Sequence, residues 1–129
     1  GLILSNDLGQ HKRAISELKK AMILDHRSLI IINDLGLAMY RKGDLLSALK
    51  AFDRSLQIDE NFPAANYNKA CILSLLGRKK EAIAFLERAL FLDPSLHSHA
   101  VVDLDFKNLR NHPQFKNLIS RLESSGKYE

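Results

Sequence analysis

Apolar positions in this chain recur on two nested intervals. Over short stretches they trace one face of a helix. Ala82, Leu86, Ala89 and Leu90 fall at i, i+4, i+7 and i+8, and Ala65, Ala70, Leu73 and Leu76 follow a similar stripe. Over the longer interval the whole pattern returns every 34 residues. Ile15/Leu49/Ile83, Leu18/Phe52/Leu86, Met22/Leu56/Leu90 and Leu24/Ile58/Leu92 keep this spacing without an insertion. Small residues do the same at Ala14/Ala48/Ala82 and Ala21/Ser55/Ala89, as do Gly9/Gly43/Gly77 and Asp25/Asp59/Asp93. A period of this length is the mark of a stacked repeat.

Each recurring residue type has a mechanical reason. A glycine between two helical stripes suits the left-handed position that ends a helix. The repeating unit therefore reads as helix A, a glycine turn at Gly43 or Gly77, then helix B. Ala48, Ala82 and Ala89 let helix backbones approach closely, where a larger side chain costs about 1–3 kcal/mol. The recurring Asp ends helix B and is expected to N-cap the next helix A, with Pro63 near a first helical position. The expected fold is all-α: a right-handed α-solenoid of antiparallel helix hairpins.

Composition agrees. The chain has 129 residues, 46% apolar and 26% charged, which fits a packed domain and excludes disorder. Cys71 is the lone cysteine, so neither an internal disulfide nor a four-thiolate zinc site can form. The longest apolar run, Leu29 to Ile32, is far short of a membrane span. With no signal segment visible either, a cytoplasmic setting and no membrane partner are expected. The net charge of +4 permits an acidic partner without requiring nucleic acid.

The pattern resembles the tetratricopeptide repeat. Counting from Leu29, the family's Leu-Gly pair is Leu35-Gly36, followed by Gly43, Ala48, the aromatic Phe52 and the small Ser55. Counting from Pro63, Ala70, Gly77, Ala82, Ala89 and Pro94 match, with Leu86 in the aromatic place. Departures are Ile32 and Asn66 at the family's Trp position, Lys69 at a usual Leu and Glu60 at a usual Pro. The resemblance implies an incomplete first repeat at 1–27, repeats at 28–61 and 62–94, capping helices at 95–123 and a frayed tail at 124–129. Phe115, Leu118, Ile119 and Leu122 form the stripe of a capping helix that starts after Pro113. Leu2, Ile3, Leu4 and Leu8 would face no preceding repeat, which suggests a longer array or a homo-oligomer through that open end.

Chemistry is hard to find. His97 and His99, two apart, diverge on a helix; His11, His26 and His112 sit at expected turns or helix ends; Cys71 has no base beside it in sequence. No phosphate loop or metal-loop spacing occurs. No catalytic residue, cofactor or metal is expected, and the chain does not read as an enzyme.

The resemblance implies a partner groove lined by helix A. In repeat two it would offer Asn33, Leu37, Tyr40 and Arg41, and in repeat three Tyr67, Asn68, Cys71, Ser74 and Leu75. The spacing places Asn33, Leu37, Tyr40 and Arg41 on one helical face, and likewise Tyr67, Cys71, Ser74 and Leu75. At helix spacings of roughly 8–10 Å, three A helices would hold about six residues of extended peptide. The family's two-carboxylate clamp is not present: Asn68 fits its middle member, but Asn33, Leu37, Ser98 and Val102 depart. A basic edge is formed by Lys12, Arg13, Arg41, Lys42, Arg78, Lys79 and Lys80. Cations after helix A complement its dipole, and no aromatic residues alternate with them as stacking on RNA requires. The expected role is a protein–protein interaction module, an adaptor or scaffold, with structural oligomerisation as the alternative and RNA association behind both.

Overall fold

The computed structural model describes residues 12–17, 19 and 29–126. The expected open face at Leu2, Ile3, Leu4 and Leu8 lies outside them, as do most of the incomplete first repeat and residues 127–129. The described residues form helices and turns, with no strand among them: an all-α helical repeat. The elements are α1 (Leu29–Lys42), α2 (Leu45–Ile58), α3 (Pro63–Leu75), α4 (Lys79–Leu92), a 3-10 turn (Pro94–Leu96), α5 (His97–Val102), a second 3-10 segment (Leu104–Leu109) and α6 (Pro113–Gly126). The chain divides into two compact units, Gly1–Ala65 and Asn66–Glu129.

In the first unit α1 and α2 form a hairpin. α1 buries Ile32, Leu35, Gly36, Ala38 and Met39, and α2 buries Ala48, Ala51, Phe52 and Ser55. Gly43 ends α1 at φ +92°, the left-handed position expected for it. Its N–H donates to Tyr40 O and that of Asp44 to Met39 O, both at 2.9 Å, which is the hydrogen-bond pair of a Schellman turn. Asp44 then N-caps α2 by accepting from the Ser47 N–H at 3.1 Å.

The second hairpin, α3 with α4, repeats this turn in register. Gly77 has φ +80°; its N–H donates to Ser74 O, and that of Arg78 to Leu73 O. Ala70, Leu73, Ala82, Leu86 and Ala89 are fully buried, as the helical stripes require. Lys69 Nζ stands 4.1 Å from the centre of the Phe85 ring, a cation–π contact between the two helices.

The recurring Asp does less than expected of it. The N–H groups of Asp59 and Asp93 close helix B by donating to Ser55 O and Ala89 O. The Asp93 carboxylate caps the following 3-10 turn through Ser95 N, whereas that of Asp59 accepts from Asn61 N. Asp59 therefore shapes the turn before α3 and does not N-cap that helix, which begins four residues later at Pro63.

The C-terminal segment keeps the hairpin register. Shifting α3 and α4 by one period gives 97–109 and 113–126, the limits of α5 plus its 3-10 continuation and of α6. Helix A of this unit is broken at Asp103, whose backbone is extended at φ −68°, ψ 122°. Before the break the burial pattern holds, with Ile32, Asn66 and Ala100 all at 0% exposure. After it the pattern fails: Leu104 is 80% exposed where Gly36 and Ala70 are buried. Phe106 stays buried as Ala38 and Ile72 do in its column, while Leu109 turns inward where Arg41 and Leu75 are exposed. The break also frees the carbonyl of Val101, to which the Arg110 guanidinium donates; the same guanidinium donates to the Asp103 carbonyl, which also accepts from the Phe106 N–H. α6 buries Phe115 and Leu118 and continues through Gly126, so the helix extends into the expected tail.

Candidate functional site

The groove residues expected on α3 divide sharply. Tyr67, Cys71 and Ser74 share one face, but that face is covered: their exposures are 6%, 6% and 0%. The Tyr67 hydroxyl donates to Asp103 Oδ2 at 2.6 Å. The Tyr67 ring meets Phe106 edge-on with centroids 5.5 Å apart and lies tilted against His99 at 5.6 Å. The side-chain amide of Asn108 donates to Ser74 O at 3.3 Å. Tyr67, Cys71 and Ser74 therefore anchor the C-terminal segment instead of lying open to a partner. The physical reason is Phe106, which needs an apolar bed and finds it beside the Tyr67 ring. Asn68 remains half-buried and Leu75 exposed.

Asp103 is the centre of this latch. Besides the tyrosine, its carboxylate accepts from the Asp105 N–H at 2.9 Å, and His99 Nε2 lies 3.5 Å away. Cys71 Sγ is 3.9 Å from the same carboxylate oxygen that Tyr67 binds. Burial pushes the Cys71 thiol well above its ordinary pKa, and the Asp103 and Asp105 carboxylates add to the shift. Burial likewise raises the Tyr67 phenol, helped by its hydrogen bond to Asp103. Both groups are held neutral, so Cys71 is not poised as a nucleophile. Cys71, Asp103 and Asp105 offer three atoms within 4.8 Å of one another, the arrangement among the described residues that comes nearest to a metal site. Within this cluster Asp103 Oδ2 accepts from the Tyr67 hydroxyl.

On α1 the expected face is more accessible. Asn33, Leu37 and Tyr40 are half-buried and Arg41 is exposed, spaced along one side of the helix. The cations expected along the turns, Lys12, Arg13, Arg41, Lys42, Arg78, Lys79 and Lys80, are all exposed. Two of them are engaged locally. Arg13 pairs with Glu17 at 3.6 Å, and the Arg78 guanidinium forms a two-pronged contact with Glu81 at 3.0 and 2.9 Å.

Sequence reasoning placed Asp103 and Arg110 in the capping segment at 95–123 but missed what they and Asn108 do there. They act through a helix break, and no helical periodicity signals where an Asp will interrupt a helix to reach a tyrosine 36 residues earlier. Phe85 and Phe91 were also missed, although the repeat alignment carries a signal for them: the same columns hold Ala51 and Gln57 one period earlier.

A tetratricopeptide-repeat family model matches residues 39–102. No curated protein matches the chain in sequence. Among solved structures, the chain resembles the Yersinia enterocolitica type III secretion chaperone SycD in complex with a peptide of the translocator YopD. The TM-score is 0.54 at 22% identity, covering 90% of this chain and 76% of that one. A second structure of the same translocator chaperone gives a TM-score of 0.53 at 22% identity, covering 91% and 70%. These likenesses establish the fold, and the turn geometry at Gly43 and Gly77 accounts for it residue by residue. Residues 39–102 of the chain belong to the tetratricopeptide-repeat family.

Proposed function

We propose that this chain is a protein–protein interaction module that holds a short extended segment of a partner, with Asn33, Leu37, Tyr40 and Arg41 of α1 as the leading contacts. The observation that carries this reading is the accessible helix-A face of α1 within a tetratricopeptide-repeat segment. Tyr40 supplies contact area with few rotors, Asn33 can donate and accept toward a peptide backbone, and Arg41 adds a charged end. In the second unit Tyr67, Cys71 and Ser74 are committed to the latch. The SycD complex with a YopD peptide supports the reading at the level of the fold. Affinity is expected in the micromolar range, because a short flexible segment loses entropy on ordering.

The test begins with selection of binders from a displayed library of short random peptides. A selected peptide is then titrated against Leu37→Ala/Tyr40→Ala. The double variant should bind about tenfold more weakly or worse, with a melting temperature close to the parent's. Unchanged affinity would place the peptide elsewhere and remove the α1 face from the proposal.

A further inference from the structure

The solvent-facing stripe of α1 carries a pattern of its own. Ile30, Asp34, Leu37 and Arg41 fall at i, i+4, i+7 and i+11, within about 60° of one another around the helix. They lie opposite the side that buries Ile32, Leu35 and Met39. Along the stripe the classes alternate: apolar, anionic, apolar, cationic. Ile30 is 71% exposed, Asp34 and Arg41 are exposed, and Leu37 is half-buried. The side chains of Asp34 and Arg41 form no hydrogen bond or ion pair among the described residues. They cannot serve each other, because seven residues separate them by about 10 Å along the axis. Helix formation does not ask for this set either. Arg41, in the last turn, gains from the helix dipole. Asp34 lies in the middle of α1, past the first turn where a carboxylate gains, and aspartate is a poor helix former. One period later the same four columns hold Ala64, Asn68, Cys71 and Leu75, none of them charged. The alternation thus belongs to α1 and not to the repeat.

The spacing of the stripe fits one kind of ligand. From Ile30 to Arg41 it runs about 16 Å, in three steps of roughly one helical turn. In an extended chain alternate side chains point to one side and stand about 6.6 Å apart. Four of them span about 20 Å, and long charged side chains absorb the difference. A segment lying along α1 therefore sets every second side chain against one member of the stripe. Complementary chemistry fixes their order: an apolar group on Ile30, a cation on Asp34, an apolar group on Leu37 and an anion on Arg41. We infer that the α1 face takes an extended peptide of the partner in which apolar, basic, apolar and acidic residues occupy alternate positions. This rests on the reading of α1 as the peptide-binding face and adds the chemistry of the peptide. A segment whose two charges share a sign meets one repulsive contact, which gives the face its selectivity.

Three labelled peptides test this by fluorescence anisotropy at low salt, where exposed charges are least screened. The first is Leu-Thr-Lys-Thr-Leu-Thr-Glu; the second has Glu, and the third Lys, at both charged places. Each is titrated against the full chain and against Asp34→Lys, Arg41→Glu and Leu37→Ala/Tyr40→Ala. Asp34 and Arg41 are exposed, so the charge variants should fold, and melting curves verify this. The parent should prefer the mixed peptide to either of the others by about fivefold, the size expected when an exposed attraction gives way to repulsion. Asp34→Lys should turn the preference to the Glu peptide, and Arg41→Glu to the Lys peptide. If the mixed peptide loses affinity for Leu37→Ala/Tyr40→Ala while the charge variants leave the ranking unchanged, the inference fails and the α1 face stands. A mixed peptide that does not bind also overturns the inference, and the α1 face is then judged by the peptides selected from the library.

Discussion

A β-carbon placed on Gly36 would lie 2.5 Å from Cε1 and 2.7 Å from Cζ of Phe52. The Phe52 ring is 1% exposed and has no room to withdraw. One period later the same two columns hold Ala70 and Leu86, both fully buried. The hairpin thus accepts glycine with phenylalanine or alanine with leucine: what one helix gives up in bulk the other takes.

Gly36→Ala is therefore expected to lower the melting temperature. Helix propensity favours the alanine by about 1 kcal/mol, but overpacking costs about 1–3 kcal/mol and prevails at a contact this close. Gly36→Ala combined with Phe52→Leu rebuilds the later pairing. The double variant should lose less stability than the two single changes summed. Thermal melts of the four proteins decide the matter, and simple additivity would show that the two residues do not share this space.

Ser55 lies in the column that Ala89 occupies in the next hairpin, and both are at 0% exposure. The Ser55 hydroxyl has no hydrogen-bond partner among the described residues. Ser55→Ala should stabilise the protein by about 1 kcal/mol, since a desolvated hydroxyl without a partner is replaced by a better helix former. A melting temperature that falls would reveal a partner for this oxygen.

How far the sequence discloses the structure depends on whether a feature is periodic. Gly43, Gly77, Ala82 and Leu86 act through local geometry that recurs, so counting along the chain finds them. Asp103 acts once, by stopping a helix and reaching Tyr67, and Arg110 acts once, by donating to carbonyls at the stop. Neither leaves a periodic trace. The same difference explains the groove residues. Spacing correctly put Tyr67, Cys71 and Ser74 on one face of α3, but it could not reveal that Phe106 would be folded against that face. Phe91 is a third case, a departure from the repeat that becomes visible when the columns are compared for difference as well as for likeness.

The turn glycines separate backbone cost from crowding. Beyond the adjoining residues of the chain, no atom lies within 4 Å of a β-carbon built at Gly43 or Gly77, yet both residues have positive φ. Substitution by alanine should cost about 1–2 kcal/mol from the left-handed conformation alone, and substitution by asparagine less. Gly43→Ala and Gly77→Ala should give similar melting shifts. A large excess at one of them would mean that its turn carries a contact beyond the Schellman pair.

Arg110 tests the helix break. Its guanidinium serves the carbonyls of Val101 and Asp103 from two separate nitrogens, a fixed fork that the single nitrogen of an ammonium does not reproduce. Arg110→Ala should cost about 1–3 kcal/mol by leaving the part-buried Val101 carbonyl without this donor and the Asp103 carbonyl with the Phe106 N–H alone, and Arg110→Lys should recover only part of that. Hydrogen exchange supplies the discriminating measurement. Protection should fall in α5 and the following 3-10 segment while α1 and α2 keep theirs. A uniform loss across the chain would show that the guanidinium supports more than the break.

Alkaline stability follows from the latch. Burial raises both the Cys71 thiol and the Tyr67 phenol above their ordinary pKa values, so the folded chain keeps protons that the unfolded chain releases. An unfolded thiol ionises near about pH 8.5 and an unfolded phenol near about pH 10. The contribution is complete below the thiol's unfolded value and is lost as pH rises beyond it, first on account of Cys71 and then of Tyr67. Melting temperature measured against pH should therefore begin to fall above about pH 8.5. Cys71→Ala should remove the earlier part of that fall and postpone its onset to about pH 10. Parallel curves for the two proteins across this window would mean that the thiol is solvated in the native state. That would also undo the packing assigned to Tyr67 and Asp103, because Cys71 shares the carboxylate oxygen on which the latch is built.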